Sequence, residues 1–391
     1  MVDNILREDL EAVSDFILGY PTPKLTNGPK VEEFEKEWSK WLGVQYSVMV
    51  SSGAAANFLT MMAYRYLKLG SYTDETLNIA VPPLTWVSDI SAVYHNRLNM
   101  EFFDINLMNL SFDMDQLKKT ERGDIDAIFV THVLGLNALT DELLDFCYDR
   151  KIDIIEDVCE SHGATFKGEK CGSIGFASNF SFYFAHHMST IEGGMVCTND
   201  SNFYQILRAL RSHGMTREMT DKSKKDSFIR TFRDLNKDFI FMHPSFNFRS
   251  TEINAVLGLN QLRRLDQNNL QRAANMELFN SLLDKTKFYT EFNLEGQSSY
   301  ALLVLMQDQD LDKRDALEKR MSENGIEFRR GMSGGGNQLR QPFFVENPHL
   351  HGGDLSKFST VDHVHNYGWY IGNYPQLSHE SIKKIAAILN A

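Results

Sequence analysis

The chain has 391 residues, is 42% hydrophobic and carries a formal charge of −12 at neutral pH. That much apolar residue supports a large α/β unit with an appended domain. The acidic balance, with no basic run longer than Lys222-Ser-Lys-Lys225, excludes a nucleic-acid footprint and gives no reason to expect an acidic membrane as partner. Cys147, Cys159, Cys171 and Cys197 form no Cys-x-x-Cys pair and read as reduced core filler. The opening Met1-Val-Asp-Asn-Ile-Leu-Arg lacks a basic lead and an apolar run, and no apolar stretch is long enough for a bilayer, so a cytoplasmic protein is expected.

Apolar spacing predicts helices over 6–18 and 31–42, joined by a Pro- and Asn27-Gly28-Pro29-containing connection. A strand over 46–50 turns through Ser51-Ser52-Gly53-Ala54 into a helix reaching about residue 68. Such a turn gathers free N–H groups and the positive helix end at one point, which suits a phosphate. A Ser-Ser-Gly cap with no ligand is the plainer reading. The strand over 77–81 leads to Pro82-Pro83-Leu84-Thr85-Trp86, where Trp86 either stacks on a flat ligand or packs between helix and sheet. Strands at 100–103 and 127–131 and a helix at 140–150 continue the alternation, which predicts a mostly parallel sheet with helices on both faces.

Ile152-Asp-Ile-Ile-Glu156-Asp157 carries a hydrophobic strand to acids at its carboxyl end, the edge where α/β sheets bind ligands. A buried acid there needs a cation or hydrogen-bond donors, and the residues alone leave Asp157 open between an ion pair and a functional role. Asn179-Phe-Ser-Phe-Tyr-Phe-Ala-His186-His187-Met-Ser-Thr-Ile-Glu192-Gly193-Gly194 reads as a strand over 180–184, a polar loop, and a second strand over 195–198. Taken alone, His186-His187 is a polar loop pair or a metal site. With an ordinary pKa of about 6.5, histidine also suits general-base work. A helix over 203–212 precedes His213-Gly214-Met215-Thr216-Arg217, and the charged, aperiodic residues 218–238 predict a mobile excursion near the site. Phe246-Asn247-Phe248-Arg249 opens a long helix. From about residue 286 strands (299–306, 326–330) and helices (311–324, 381–389) predict a smaller α+β domain. Arg329-Arg330 before Gly334-Gly335-Gly336 either meets an anionic diphosphate or stays a solvated pair beside a flexible loop.

In this order, over nearly the whole chain, these motifs resemble the DegT/DnrJ/EryC1/StrS family of sugar aminotransferases. That family keeps a lysine six residues before the glutamate of Glu-Gly-Gly; His186 stands there here, which resembles the family's lysine-lacking 3-dehydratase branch. The resemblance implies the α/β fold type I of PLP-dependent transferases, aspartate aminotransferase-like, a mostly parallel sheet with a smaller C-terminal α+β domain. The implied division is a large cofactor-binding domain over 1–250, a connecting helix over 251–285 and a small domain over 286–391.

The resemblance further implies pyridoxamine 5'-phosphate (PMP) or pyridoxal 5'-phosphate (PLP) as cofactor, held without a covalent bond because an imidazole forms no stable Schiff base. Gly53, Ala54 and Ser181 would meet the phosphate, although Ala54 departs from the family's hydroxyl residue. Trp86 would stack on the ring, Asp157 would face the ring nitrogen, and Glu160 would sit beside the ring. Asn247 would reach the phosphate of a partner subunit's cofactor, implying a homodimer with shared sites. His186 would be the general base, with His187, His213, Arg217 and Arg329 as candidate substrate contacts. No metal is expected, and no iron-sulfur cluster, because only Cys197 follows the histidine. The implied reaction removes the C3 hydroxyl of a nucleotide-linked 4-keto-6-deoxy sugar for O-antigen or capsule synthesis, with L-glutamate restoring the amine form. A 4-aminotransferase using another base, and an inactive cofactor-binding relative, are the alternatives. GDP, CDP and TDP remain open.

Overall fold

The computed structural model describes residues 4–70 and 73–391. Helices α1 (Arg7–Ile17) and α2 (Pro29–Leu42) lead into β1 (Tyr46–Val50), followed by α3 (Gly53–Leu69), β2 (Asn78–Val81), α4 (Val87–His95) and β3 (Asn99–Phe102). Then come β4 (Ala127–Thr131), α5 (Asp141–Arg150), β5 (Asp153–Asp157), β6 (Ala177–Ser181), β7 (Gly194–Thr198) and α6 (Ser201–Arg211). The seven strands form one sheet in the order β1-β7-β6-β5-β4-β2-β3. Only β7 runs against its neighbours.

This topology positions the site. Because β7 is reversed, its first residue Gly194 pairs with the last residues of both flanking strands, Val50 and Ser181. Thr131 pairs with Asp157 at the ends of β4 and β5. The carboxyl ends of β1, β4, β5 and β6 thus face one crevice, the usual ligand address of such sheets. Strands β4 and β6 are buried throughout, as expected for a sheet covered on both faces.

The strand expected over 180–184 is instead Ala177–Ser181. Its polar start is buried because Ser178 Oγ donates to the Gly172 carbonyl (2.6 Å) and Thr60 Oγ1 donates to Asn179 Oδ1 (2.6 Å), so the low hydrophobicity of 177–179 hides a core strand. Phe180 and Phe182 pack edge-on to Trp38 of α2, with ring centroids 5.0 and 4.9 Å away. All three are fully buried, and each phenyl contributes about 1.5–3 kcal/mol by leaving water.

The stretch 218–238 is not an irregular excursion. Asp221 caps α7 (Lys222–Thr231) by accepting from Lys224 N. No α7 side chain is buried, which is why its pattern shows no apolar stripe.

Helix α8 (Glu252–Leu282) packs on α1 and α2 at one end and on the C-terminal helix at the other. Beyond it lie β8 (Ala301–Leu305), α9 (Leu311–Glu323), β9 (Phe328–Arg330), α10 (Ser359–Tyr367), β10 (Gly368–Gly372) and α11 (His379–Asn390). The antiparallel sheet β8-β10-β9 has as its centre a strand the sequence reading passed over, Gly-Trp-Tyr-Ile-Gly, whose flanking glycines disguise it. Among the described residues no helix is long and apolar enough to cross a membrane.

Candidate active site

The crevice opens into a cavity of about 1010 Å³, lined by Gly53, Ala54, Trp86, Asp157, Glu160, Ser181, His186 and Arg329 together with small-domain residues. At its base Ser52 caps α3, its hydroxyl accepting from Ala55 N at 3.0 Å. The N–H groups of Gly53 and Ala54, in the first turn, have no intrahelical acceptor and carry the positive helix end. Gly53 must be glycine, since a Cβ would stand 2.5 Å from Ser181 Cβ. Trp86, just before α4, is half exposed and borders the same space.

Asp157 ends β5 almost fully buried. Its Oδ1 accepts from Cys159 N (2.8 Å) and its Oδ2 from Asn57 Nδ2 (3.0 Å). Among the described residues it forms no ion pair, although it is buried and faces the cavity. Glu160 accepts from Leu134 N at 3.1 Å. Burial, and then the neighbouring Asp157, push its carboxyl up to about 7.

The loop carrying His186 is fastened from several sides. Asn4 Nδ2 donates to the carbonyls of His186 (3.0 Å) and His187 (3.1 Å). From α8, Asn254 Nδ2 holds the carbonyls of Thr190 (2.6 Å) and Glu192 (3.0 Å), and Gln261 Oε1 accepts from Ser189 N (2.8 Å). The His186 ring lies 5.6 Å from that of Tyr300 and 5.9 Å from that of Tyr183. Its Nδ1 is buried with no hydrogen-bond partner among the described residues, and the residue borders the cavity. Burial holds its pKa down to about 4; the Asp157 carboxylate opposes this and the Arg272 guanidinium adds to it. The imidazole is therefore a neutral base at neutral pH.

The model of the DegT/DnrJ/EryC1/StrS aminotransferase family matches residues 7–390. The chain belongs to that family. Among its relatives is GDP-4-keto-6-deoxy-D-mannose 3-dehydratase of Yersinia pseudotuberculosis, 29% identical over 373 residues that cover 93% of this chain and 91% of that one. The enzyme of the same name from Escherichia coli O55:H7 is 30% identical over 359 residues, covering 89% of each chain. Solved structures of such a dehydratase superpose with a TM-score of 0.86 at 26% identity, covering 99% of this chain and 98% of that one. They include an E. coli form with bound hydrated PLP, one with a trapped PLP-glutamate geminal diamine, and a histidine-to-asparagine variant with bound GDP-perosamine. The expected fold, that of PLP-dependent aminotransferases, is thereby shown.

Against the DegT/DnrJ/EryC1/StrS pattern, the structure separates the candidate residues. His186, Asp157, Glu160, Ser181, Gly53, Ala54, Trp86 and Arg329 converge on one cavity. His187 does not: its ring is buried and its Nε2 donates to the Ser298 carbonyl at 3.2 Å. His213 and Arg217 are exposed and outside the cavity lining, Arg217 against Glu218 and the Phe239 ring. Asn247 is also exposed and outside its own chain's cavity, its Oδ1 accepting from Arg249 N at 3.1 Å. Arg329 pairs with Glu327 at 2.9 Å on the cavity rim, whereas Arg330 is taken by Glu318 (2.6 Å). The Gly334 turn is no free loop: a Cβ there would meet the Thr85 carbonyl at 2.2 Å.

Sequence reasoning missed several participants. Asn57 and Asp89 lie beneath Asp157 in helices, and nothing local marks them as buried. Arg272, at mid-α8, lines the cavity and donates to the backbone carbonyls of Tyr300 and Asn373; burial lowers its pKa to about 10. Tyr300 and Tyr370 arrive from the small domain. Outside the cavity's chemistry, His132, Glu156 and Cys171 have metal-ligand spacing. Ala138 N, however, donates to His132 Nδ1 (3.1 Å), and Gly172 N and Gly175 N donate to Glu156 (both 2.7 Å), so protein hydrogen bonds already occupy those atoms.

Proposed function

We propose that this chain is a PMP/PLP-dependent 3-dehydratase acting on a GDP-linked 4-keto-6-deoxy sugar, with GDP-4-keto-6-deoxy-D-mannose as the substrate its relatives' names indicate. The observation that carries the reading is a neutral imidazole at the position where the family keeps lysine, with a buried carboxyl on the same cavity that has no cationic partner among the described residues. These residues fit the cofactor: an unpaired acid for a protonated ring nitrogen, and an open helix N-terminus with a serine hydroxyl for a phosphate.

When bound, that cofactor supplies an amine for the sugar's ketone and an aromatic ring that serves as an electron sink. Asp157 would hold the ring nitrogen protonated, and Gly53 N–H, Ala54 N–H and Ser181 Oγ would hold the phosphate. Trp86 would cover a ring face. His186 takes up a proton at Nε2 and, lacking a nucleophilic amine, leaves the cofactor's amine form free. Glu160, poised at about 7, holds or releases a proton beside the same space. Arg329 on the rim meets the diphosphate.

L-glutamate is the proposed amino donor. A homodimer is the proposed assembly, supported by Asn247 lying exposed outside its own chain's cavity. We take 1–250, 251–285 and 286–391 as the working units, the cytoplasm as the compartment, and O-antigen or capsule synthesis as the context. The test is mass spectrometry of product from GDP-4-keto-6-deoxy-D-mannose, PMP and glutamate. Loss of the C3 oxygen with release of ammonia supports the reading; nitrogen retained at C4 would make the chain an aminotransferase, and no reaction on any nucleotide-linked 4-keto sugar would leave a binding protein.

A further inference from the structure

Asp89, in the first turn of α4, is fully buried beneath the Asp157 carboxylate. Asn57 Nδ2 joins the two acids, 2.5 Å from Asp89 Oδ1 and 3.0 Å from Asp157 Oδ2. On its other side Asp89 Oδ2 meets two hydroxyls, Thr85 Oγ1 and Thr131 Oγ1 (3.0 Å), which also meet each other at 2.7 Å. Three oxygens in mutual contact need three protons to make every contact a hydrogen bond. The two threonines supply two. An ionised Asp89 leaves one contact without a hydrogen, while a protonated Asp89 closes the ring.

We propose that Asp89 is a positioning residue that keeps its proton at neutral pH, so that Asp157 is the sole anion beneath the cavity and Asn57 is held to face it. The groups facing Asp89 agree. Asp157 on β5 is an acid, the Cys159 thiol just beyond it is pushed well above the usual thiol range by burial and the Asp157 charge, Asn57 on α3 and the two threonines are neutral, and no described lysine or arginine pairs with either acid. Burial first, and the Asp157 charge second, push the Asp89 carboxyl well above the usual carboxylate range. Two adjacent carboxyls without a cation cannot both ionise at low cost. A second negative charge here would also split the hold on any cation that Asp157 receives. The role of Asp157 toward a ring nitrogen rests on the reading above; the proton on Asp89 does not.

The test uses the full chain with and without PMP. Because Glu160, poised at about 7, carries a protonated carboxyl of its own at neutral pH, the infrared spectra are taken in a cofactor-free Glu160→Gln background, where a protonated-carboxyl carbonyl stretch should be present and should disappear when Asp89→Asn is added. Its absence from the Glu160→Gln protein, or its survival after Asp89→Asn, overturns the proposal. Should Asp89→Asn fail to fold, Thr131→Val must shift the band, because it removes a bond to that carboxyl; an unmoved band is equally fatal.

Unfolding against pH gives a readout that a merely structural role would not move. A carboxyl whose folded pKa is raised makes the folded state bind the extra proton, so wild-type stability falls as pH rises above the unfolded carboxylate range. Relative to Asp89→Asn, the wild-type folding constant should drop by about tenfold per pH unit there; parallel curves would refute it. PMP affinity should change within about threefold in Asp89→Asn, the scale of one altered neutral hydrogen bond. It should fall by about a hundredfold or more in Asp157→Asn, where a buried charge loses its partner. An equal loss in both variants contradicts a single anion. Intact binding in Asp157→Asn, with the infrared result as expected, would instead sink the cofactor reading alone.

Discussion

The floor and the rim of the cavity are built on opposite principles. On the floor, Asp157, Asn57 and Asp89 are buried and linked by hydrogen bonds through Asn57, with no cationic partner among the described residues. On the rim, Arg329 is exposed and its ion pair with Glu327 stands in water. A charge left unpaired in a dry place waits for a ligand group of opposite sign, and its removal is costly. A charge paired in solvent is worth about 0–1 kcal/mol and steers or selects rather than holds. The two adjacent histidines repeat the contrast: His186 borders the cavity, while Nε2 of His187 is spent on the Ser298 carbonyl.

Substitutions should separate these roles. His186→Asn is expected to lower dehydration by about 10²–10⁴-fold, the usual reach of a positioned general base, with PMP binding retained; unchanged turnover in a product assay would remove His186 from the chemistry. Asp157→Asn should weaken PMP binding by the about 3–5 kcal/mol that follows loss of one member of a buried pair, read by equilibrium titration of cofactor absorbance. His187→Gln should cost about 1–3 kcal/mol of stability in urea unfolding through the bond to Ser298, while kcat stays near wild type. Arg329→Ala, the smallest effect, should raise KM for the nucleotide sugar by less than about tenfold and leave stability unchanged. A kcat loss in that variant would place the rim inside the reacting centre.

The pH dependence sharpens the same contrast. Burial lowers the pKa of His186 to about 4 and holds those of His162 and His187 well below the ordinary histidine value. The native state therefore refuses protons that the unfolded chain accepts. Stability should be lost as pH falls from about 6.5 toward 4, and His186→Asn should make that loss shallower by one proton. In kcat/KM the acid limb belonging to His186 should lie near 4 rather than near 6.5.

Much of the floor was legible in the sequence because its residues sit at strand ends, where pattern and position coincide. Asp157 follows an apolar run, Ser181 and His186 bracket one loop, and Gly53 follows a strand. Asn57 and Asp89 were not legible. Each reads as an ordinary polar helix residue, and only the packing of α3 and α4 against β4 and β5 buries both at one point. The rim was harder still. Arg329 was found as a basic pair, but the sequence does not say that its neighbour Arg330 turns to Glu318, nor that Tyr300 and Tyr370 cross over from the small domain. Asp221 was a visible cap signal for α7, and a search for apolar stripes alone passes over a helix that buries nothing.

The account depends on the cofactor being held on this floor without a covalent bond. Among the described residues the lysine that lines the cavity is Lys384, on α11 in the small domain. The direct measurement is borohydride treatment of the PLP-loaded protein, followed by intact-mass analysis. The account predicts an unmodified chain mass and cofactor released on unfolding; a pyridoxyl group fixed to Lys384 or any other lysine would contradict it.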